Sequence, residues 1–221
     1  MPHLVVIAAA IIASYFLGDV LFAHVVGRYL YGVDVRQYGS HNLGGTNVLR
    51  TLGPRAAAMV VAGDVAKGAL AVLLGAWVSG GNDAVRLLCG IAVIAGHNWP
   101  LLLGFTGGKG IGTSLGVLVG LMPKAALVPA AVFVLTVWLT RYVSLGSVLA
   151  AVVFPFTVLA VYAGRPLYLA GSVVLAVFAI YRHLPNIRRL LAGKEFKLGQ
   201  RVDVATASPE SDLPEKEDSR A

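Results

Sequence analysis

Cysteine is nearly absent from this chain: Cys89 stands alone among 221 residues. A single thiol in an apolar stretch forms no internal disulfide and founds no metal site, so Cys89 reads as packing. Charge is scarce as well. Only 13% of the residues are charged and 57% are hydrophobic, against roughly 25% charged in soluble domains. That balance excludes an ordinary water-soluble globule. Acidic groups are the scarcest, with sixteen Lys/Arg but only five Asp/Glu over residues 1–201. No cluster of carboxylates, His or Cys is arranged to hold a metal, and neither a metal nor another cofactor is expected. The opening apolar run lacks the basic leader and small-residue cleavage site of a signal peptide, so it reads as a permanent span. Nucleic acid is not an expected partner, because the basic residues lie between apolar runs rather than on a polar domain of their own.

What the chain has in plenty is apolar runs long enough to cross a hydrocarbon core about 30 Å thick. Six are plain: residues 4–26, 56–79, 85–105, 125–140, 144–163 and 166–181. A seventh, Ile111–Met122, is too short to cross unaided. Charge decides how it is counted. The first loop carries Arg28, Arg36, Arg50 and Arg55, and the segment after residue 181 carries Arg182, Arg188, Arg189, Lys194, Lys197 and Arg201. Six crossings would put these clusters on opposite faces, against the positive-inside rule; a seventh unites them. The expectation is an all-α integral membrane protein with about seven transmembrane helices, one of them short. Its N-terminus lies outside and its C-terminus in the cytoplasm. Residues 200–221 are acidic and poor in large apolar groups, and read as a disordered cytoplasmic tail.

On that topology three polar segments meet on the cytoplasmic face: Tyr38–Gly53, Gly96–Ser114 and Tyr181–Gly199. In the first, Ser40, Asn42, Thr46 and Asn47 supply hydroxyls and amides, and Arg50 suits bidentate contact with a phosphate. Thr46 or Asn47 could equally cap the helix that follows. In the second, Gly107, Gly108 and Gly110 flank Lys109, and the short helix beyond opens with free N–H groups that favour an anion. A plain glycine turn is the alternative. The pattern is not a Walker A loop, since Leu103 stands where its first glycine belongs and Gly110 where its Ser/Thr belongs. In the third, Pro185 ends the last span near His183, and a basic amphipathic helix follows. Asp64 and Lys67, one turn apart within a span, are expected to pair inside the bundle. His97 reads as a structural histidine.

The three stretches "GSHNLGGTNVLR", "GHNWPLLLGFTGGKG" and "RHLPNIRRLLAGKE" resemble, in order and spacing, the motifs of the bacterial acyl-phosphate:glycerol-3-phosphate acyltransferases. The resemblance covers roughly residues 1–199, a single membrane-embedded acyltransferase domain. Departures are few: His41 stands at a usual glycine, Gly45 and Gly112 at alanines, and Lys194 at a common threonine. His41 puts the local backbone shape in question.

The resemblance implies an enzyme that moves a fatty acyl group from acyl phosphate to the 1-hydroxyl of sn-glycerol 3-phosphate. It further implies a monomer in the bacterial cytoplasmic (inner) membrane, in contact with membrane lipid, its active site facing the cytoplasm. By motif position, Ser40, Arg50, Lys109 and His183 would be catalytic. Asn42, Thr46, Asn47, Gly107, Gly108, Ser147 and Asn186 would bind substrate, and Glu195 would hold the third motif in place. Of the serine pair Ser144 and Ser147, the former reads as a helix N-cap and the latter as the substrate contact. His183 or the substrate's own phosphate would accept the hydroxyl proton. A transporter for phosphate or a sugar phosphate is the alternative class. An acyltransferase of the lysophosphatidate type is disfavoured because its H-x-x-x-x-D signature is missing: Ala8, Tyr29, Thr46, Leu102 and Arg188 stand five positions after the five histidines.

Overall fold

The computed structural model describes residues 2–202, and among them every regular element is helical. The expected tail lies outside the described residues from Asp203 onward. Seven longer helices form the body: α1 (Pro2–Asp19), α4 (Pro54–Ser79), α5 (Asp83–Asn98), α6 (Ile111–Leu121), α7 (Pro123–Thr140), α8 (Val143–Val161) and α9 (Pro166–Arg182). Three short ones border the polar loops: α2 (Phe22–Val25), α3 (Gly45–Thr51) and α10 (Leu184–Leu191).

The first span, expected over 4–26, runs over His3–Leu30, and it is not one uninterrupted α-helix. It breaks after Asp19, and α2 and a π-turn over Val26–Leu30 follow. A break at membrane depth frees carbonyls that need donors. Lys67 Nζ, reaching across from α4, supplies them, donating to Gly18 O (3.0 Å) and Val20 O (2.8 Å). The group that satisfies the break therefore lies far away in sequence.

Close helix pairs are made by glycine. A Cβ on Gly18 would stand 2.1 Å from Val93 O and one on Gly96 2.0 Å from Tyr15 O, so α1 and α5 touch backbone to backbone. Gly68 and Gly116 do the same for α4 and α6, with Thr113 O and Val65 O as the obstructing atoms at 2.2 and 2.0 Å. Small residues at such crossings let membrane helices associate where lipid offers no hydrophobic driving force. Val72, Val93, Val117, Met122 and Val158 fill the interior, and Cys89 is fully buried as packing. Leu70, Leu73, Trp77, Leu135, Trp138 and Leu159 point outward, the inverted surface a lipid environment requires.

Five helical segments are long and apolar enough to cross a membrane, and α9 with α10, bent by 56° at His183, makes a sixth candidate. The eleven residues of α6 reach only about 16 Å. Its direction is nonetheless informative. Gly112 lies at Asp64, Gly116 at Val65 and Ala69, and Gly120 at Val72, so α6 runs parallel to α4. The contacts Gly75–Arg86 and Gly90–Val117 set α5 antiparallel to both. The three polar motifs thereby gather at one end of the bundle. At the opposite end Asp83 ties α5 to α9, accepting from Arg86 and Arg165 at 3.0 Å each, while Arg86 Nη2 also donates to Gly120 O of α6.

Candidate active site

The first motif is a loop braced by its own asparagine. Asn47 Nδ2 donates to Val35 O (2.9 Å) and Tyr38 O (3.1 Å), and its Oδ1 accepts from Ser40 N (2.9 Å). Both of its N–H groups are thus used within the loop. The substrate-binding role suggested for Asn47 becomes one of shaping the loop and placing Ser40. The capping role expected of Thr46 or Asn47 is not observed: Gly44 occupies the N-cap of α3 and no side chain caps it. His41 takes the left-handed conformation, φ 57°, and its Nδ1 bonds Arg36 O at 2.8 Å. A histidine tolerates the backbone shape for which glycine is the easier choice. Arg50, in the last turn of α3, is 7% exposed, stacks 4.3 Å over the Phe196 ring, and has no partner for Nε or Nη1.

In the second motif the glycines serve packing first. A Cβ on Gly107 would lie 2.2 Å from His97 O, and one on Gly108 2.1 Å from His97 Nε2. The Gly108 N–H donates to His97 O (3.0 Å), which withdraws it from the anion cradle expected of it. Arg182 holds the loop from the other side, donating to Gly107 O (2.8 Å) and Gly108 O (3.0 Å). What remains for an anion is the Lys109 ammonium and the N–H groups of Lys109, Gly110 and the first turn of α6. Those N–H groups have no acceptor among the described residues. Lys109 Nζ donates to Asn186 Oδ1. Burial pushes its pKa down to about 8, with Arg189, Arg182 and Arg50 adding to the effect and Glu195 opposing it.

The third motif closes this network. Glu195 accepts from Asn186 Nδ2 and Arg189 Nε at 2.7 Å and from Ser144 Oγ at 2.8 Å. Burial raises its carboxyl, but these three hydrogen bonds outweigh it and hold the group below the usual carboxylate range. The N-cap reading of Ser144 is therefore corrected. Tyr142 is the N-cap of α8, and Ser144 turns inward to Glu195. Ser147 bonds back to Val143 O at 3.0 Å and also faces inward. His183 is 2% exposed, and its Nδ1 sits 2.7 Å from Ala179 O. A carbonyl only accepts, so Nδ1 carries the proton and Nε2 keeps a lone pair.

One cavity of about 490 Å³ collects these groups. Ser40, Asn42, Thr46, Asn47, Arg50, Lys109, Ser147, His183, Asn186 and Glu195 all line it, whereas Gly107 and Gly108 stand behind, packed on α5. From Ser144 to Phe154 the cavity follows α8 for about 15 Å, becoming apolar between Leu115, Leu118, Pro129, Phe133 and Leu175. Sequence reasoning missed three contributors. Ser144 and Phe196 reach the wall, and Arg182, counted only as a basic residue, clamps the glycine loop. Asp64 and Lys67 pair as expected at 3.0 Å, yet Asp64 and His97 also line the cavity. Beyond Glu195 the backbone continues across to the end of α7 and to α3: Leu198 N donates to Arg141 O and Val202 N to Arg50 O.

A cavity with buried cations at one end and an apolar arm at the other suits an amphiphile bearing a phosphate. Comparisons with known proteins agree. Residues 8–193 match the sequence profile of the family described as glycerol-3-phosphate acyltransferase. A glycerol-3-phosphate acyltransferase of Thermoanaerobacter sp. (strain X514) is 45% identical over 193 residues, 87% of this chain and 96% of the relative. One from Clostridioides difficile (strain 630) is also 45% identical, over 87% of this chain and 95% of its own. Among solved structures, PlsY (YgiH), an integral membrane glycerol 3-phosphate acyltransferase, superposes with TM-score 0.80 in its glycerol 3-phosphate form. Its lysophosphatidic acid form superposes with TM-score 0.79. That protein is 36% identical, with 87% of this chain and 96% of the other covered in the first form. This integral membrane chain belongs to the glycerol-3-phosphate acyltransferase family.

Proposed function

We infer that the protein transfers a fatty acyl group from acyl phosphate to the 1-hydroxyl of sn-glycerol 3-phosphate, giving lysophosphatidic acid and inorganic phosphate. The observation that carries this reading is the shape and charge of this cavity, cationic at the motif end and apolar along α6 to α9. The family, and the forms in which its solved relative is known, support it. We read the protein as acting as a monomer. The basic clusters gathered at one end suit a bacterial inner-membrane protein whose site faces the cytoplasm.

The chemistry asks little beyond positioning and charge stabilisation, since a mixed anhydride is already activated. The glycerol hydroxyl oxygen attacks the acyl carbon, the C–O bond to phosphate breaks, and the phosphate leaves with that electron pair. The hydroxyl proton ends on the departing phosphate. His183 Nε2, with its free lone pair, accepts the hydrogen bond that aims the hydroxyl. Lys109 and Arg50 bind phosphate oxygens, Asn186 and Glu195 hold Lys109, and Ser40 and Ser147 orient the reacting ends.

The test is an assay of purified protein with glycerol 3-phosphate and either acyl phosphate or acyl-CoA. Lysophosphatidic acid formed with acyl phosphate is the expected result. Equal or faster turnover with acyl-CoA overturns the donor. No acylation with either donor, together with phosphate counterflow in vesicles, would replace the enzyme by a transporter.

A further inference from the structure

His97 closes α5 and forms part of the cavity wall, 2% exposed, and the transfer chemistry above gives it no task. Its surroundings fix which of its nitrogens carries the proton. Lys67 Nζ has three N–H groups and three acceptors: Gly18 O at 3.0 Å, Val20 O at 2.8 Å and His97 Nδ1 at 2.9 Å. Asp64 Oδ1 stands 3.0 Å from the same ammonium and 3.5 Å from His97 Nδ1, and supplies the negative charge of the cluster. With the carboxylate keeping Lys67 in its ammonium form, His97 Nδ1 is an acceptor and Nε2 bears the proton. The imidazole is therefore locked as a neutral donor.

Of the two ring nitrogens only Nδ1 is engaged among the described residues, and the ring lines the cavity. Its position is equally specific. Nε2 lies so close to Gly108 that a Cβ there would fall 2.1 Å from it, beside the residue that carries the Lys109 ammonium. A donor on a nine-tenths-buried side chain of the cavity wall, set against the glycine loop, suits an anionic oxygen.

We propose that His97 Nε2–H donates to a phosphate oxygen of the substrate bound in the cavity, and that Lys67 and Asp64 are the positioning residues that hold it as a donor. This rests on the acyltransferase reading only for the source of the phosphate, which is either the acyl donor or glycerol 3-phosphate.

Protein carrying ¹⁵N-histidine in detergent tests the contact without turnover, with the His97 signal assigned by its loss in His97→Gln. The expected spectrum has Nε2 protonated and Nδ1 bare, and the Nε2–H proton moves downfield on saturation with inorganic phosphate or glycerol 3-phosphate. In kinetics, His97→Met is expected to raise KM for the contacted substrate by about ten- to a hundredfold. His97→Gln, which can present an amide N–H at similar reach, stays within about fivefold of wild type. A rise confined to acyl phosphate assigns the contact to the donor, and one confined to glycerol 3-phosphate to the acceptor. An active enzyme whose Nε2–H ignores both ligands, or whose His97→Met variant keeps both KM values within threefold, overturns the proposal. Protein that binds phosphate through His97 but acylates nothing would instead overturn the acyltransferase reading and leave the contact standing.

Discussion

Lys109 and Ser40 face the same cavity but are expected to fail in different ways. Lys109 is a point charge held by Asn186, so it contributes to ground state and transition state alike. Lys109→Ala should raise KM for the phosphate substrates about ten- to a hundredfold with kcat little changed, since a charge-assisted hydrogen bond is worth roughly 1.5–3 kcal/mol. Lys109→Arg should not restore it, because a planar fork fits poorly beside a tight glycine loop. Ser40, its backbone pinned by Asn47, is placed to meet the reacting anhydride. Ser40→Ala should lower kcat by about two decades while KM moves little, the signature of a contact made in the transition state. Steady-state kinetics separate the two, and a Ser40→Ala enzyme of near wild-type kcat would make Ser40 a mere loop residue. Acidity gives a second measure. The free-enzyme pKa of Lys109 is about 8, and only the protonated form binds phosphate well. As pH rises through 8 the ammonium is lost, so kcat/KM should fall there, while the limb in kcat lies higher because bound phosphate retains the proton. Lys109→Ala should lack this limb; its persistence would assign it to another group. Much at this scale was legible. Ser40, Arg50, Lys109, His183, Asn186 and Glu195 meet in one cavity because their motifs fix which loops converge. The bracing of the first loop by Asn47 and the turn of Ser144 to Glu195 were not foreseen, because Val35 O, Tyr38 O and Glu195 are brought to them by tertiary folding and not by spacing along a helix.

At the level of elements, the short helix α6 was recognisable from its 12-residue apolar run, yet its manner of attachment was not. It rides on α4 through Gly116, where a Cβ would stand 2.0 Å from Val65 O. Gly116→Val must push the helices apart, and overpacking of this kind costs about 1–3 kcal/mol. The variant should melt several degrees lower in detergent. Because α6 begins immediately after Lys109, its KM for glycerol 3-phosphate should rise as well. An unchanged melting temperature would mean that α6 moves freely against α4. The first span was read as a span, but its internal break was not foreseen. Leu4–Val26 reads as one uniform run, and no local residue marks a stop at Asp19. The signal is Lys67, more than forty positions away, whose ammonium makes the freed carbonyls tolerable. By contrast the bend at His183 was visible, since Pro185 announces it.

For the molecule as a whole, the alternation of α4, α5 and α6 agrees with the parity argument drawn from arginine and lysine positions. The proposal that the motif end is cytoplasmic can be checked with single cysteines in a Cys89→Ser background. Asn82→Cys and Ala163→Cys, at exposed turns of the opposite end, should label from outside the cell. Gln37→Cys and Gln200→Cys should label only after permeabilisation. Outside labelling at Gln200 would return the count to six crossings. The membrane class was legible because composition alone dictates it. The network behind His97 was hidden because it joins α1, α4 and α5, helices whose proximity no short motif encodes. That network also bears on how the chain is made. An unpaired lysine near the middle of a nascent span adds roughly 2.5–3.5 kcal/mol to its insertion, and α4 brings Lys67 into the bilayer while most of the protein is still unsynthesised. Asp64 offsets part of this, and of the three acceptors two, Gly18 O and Val20 O, belong to the first span, already delivered, while His97 follows with α5. The gap in α1 thus works during biogenesis as a waiting receptacle. The first span to leave the ribosome prepares the membrane for the second, and the order of synthesis is built into the fold.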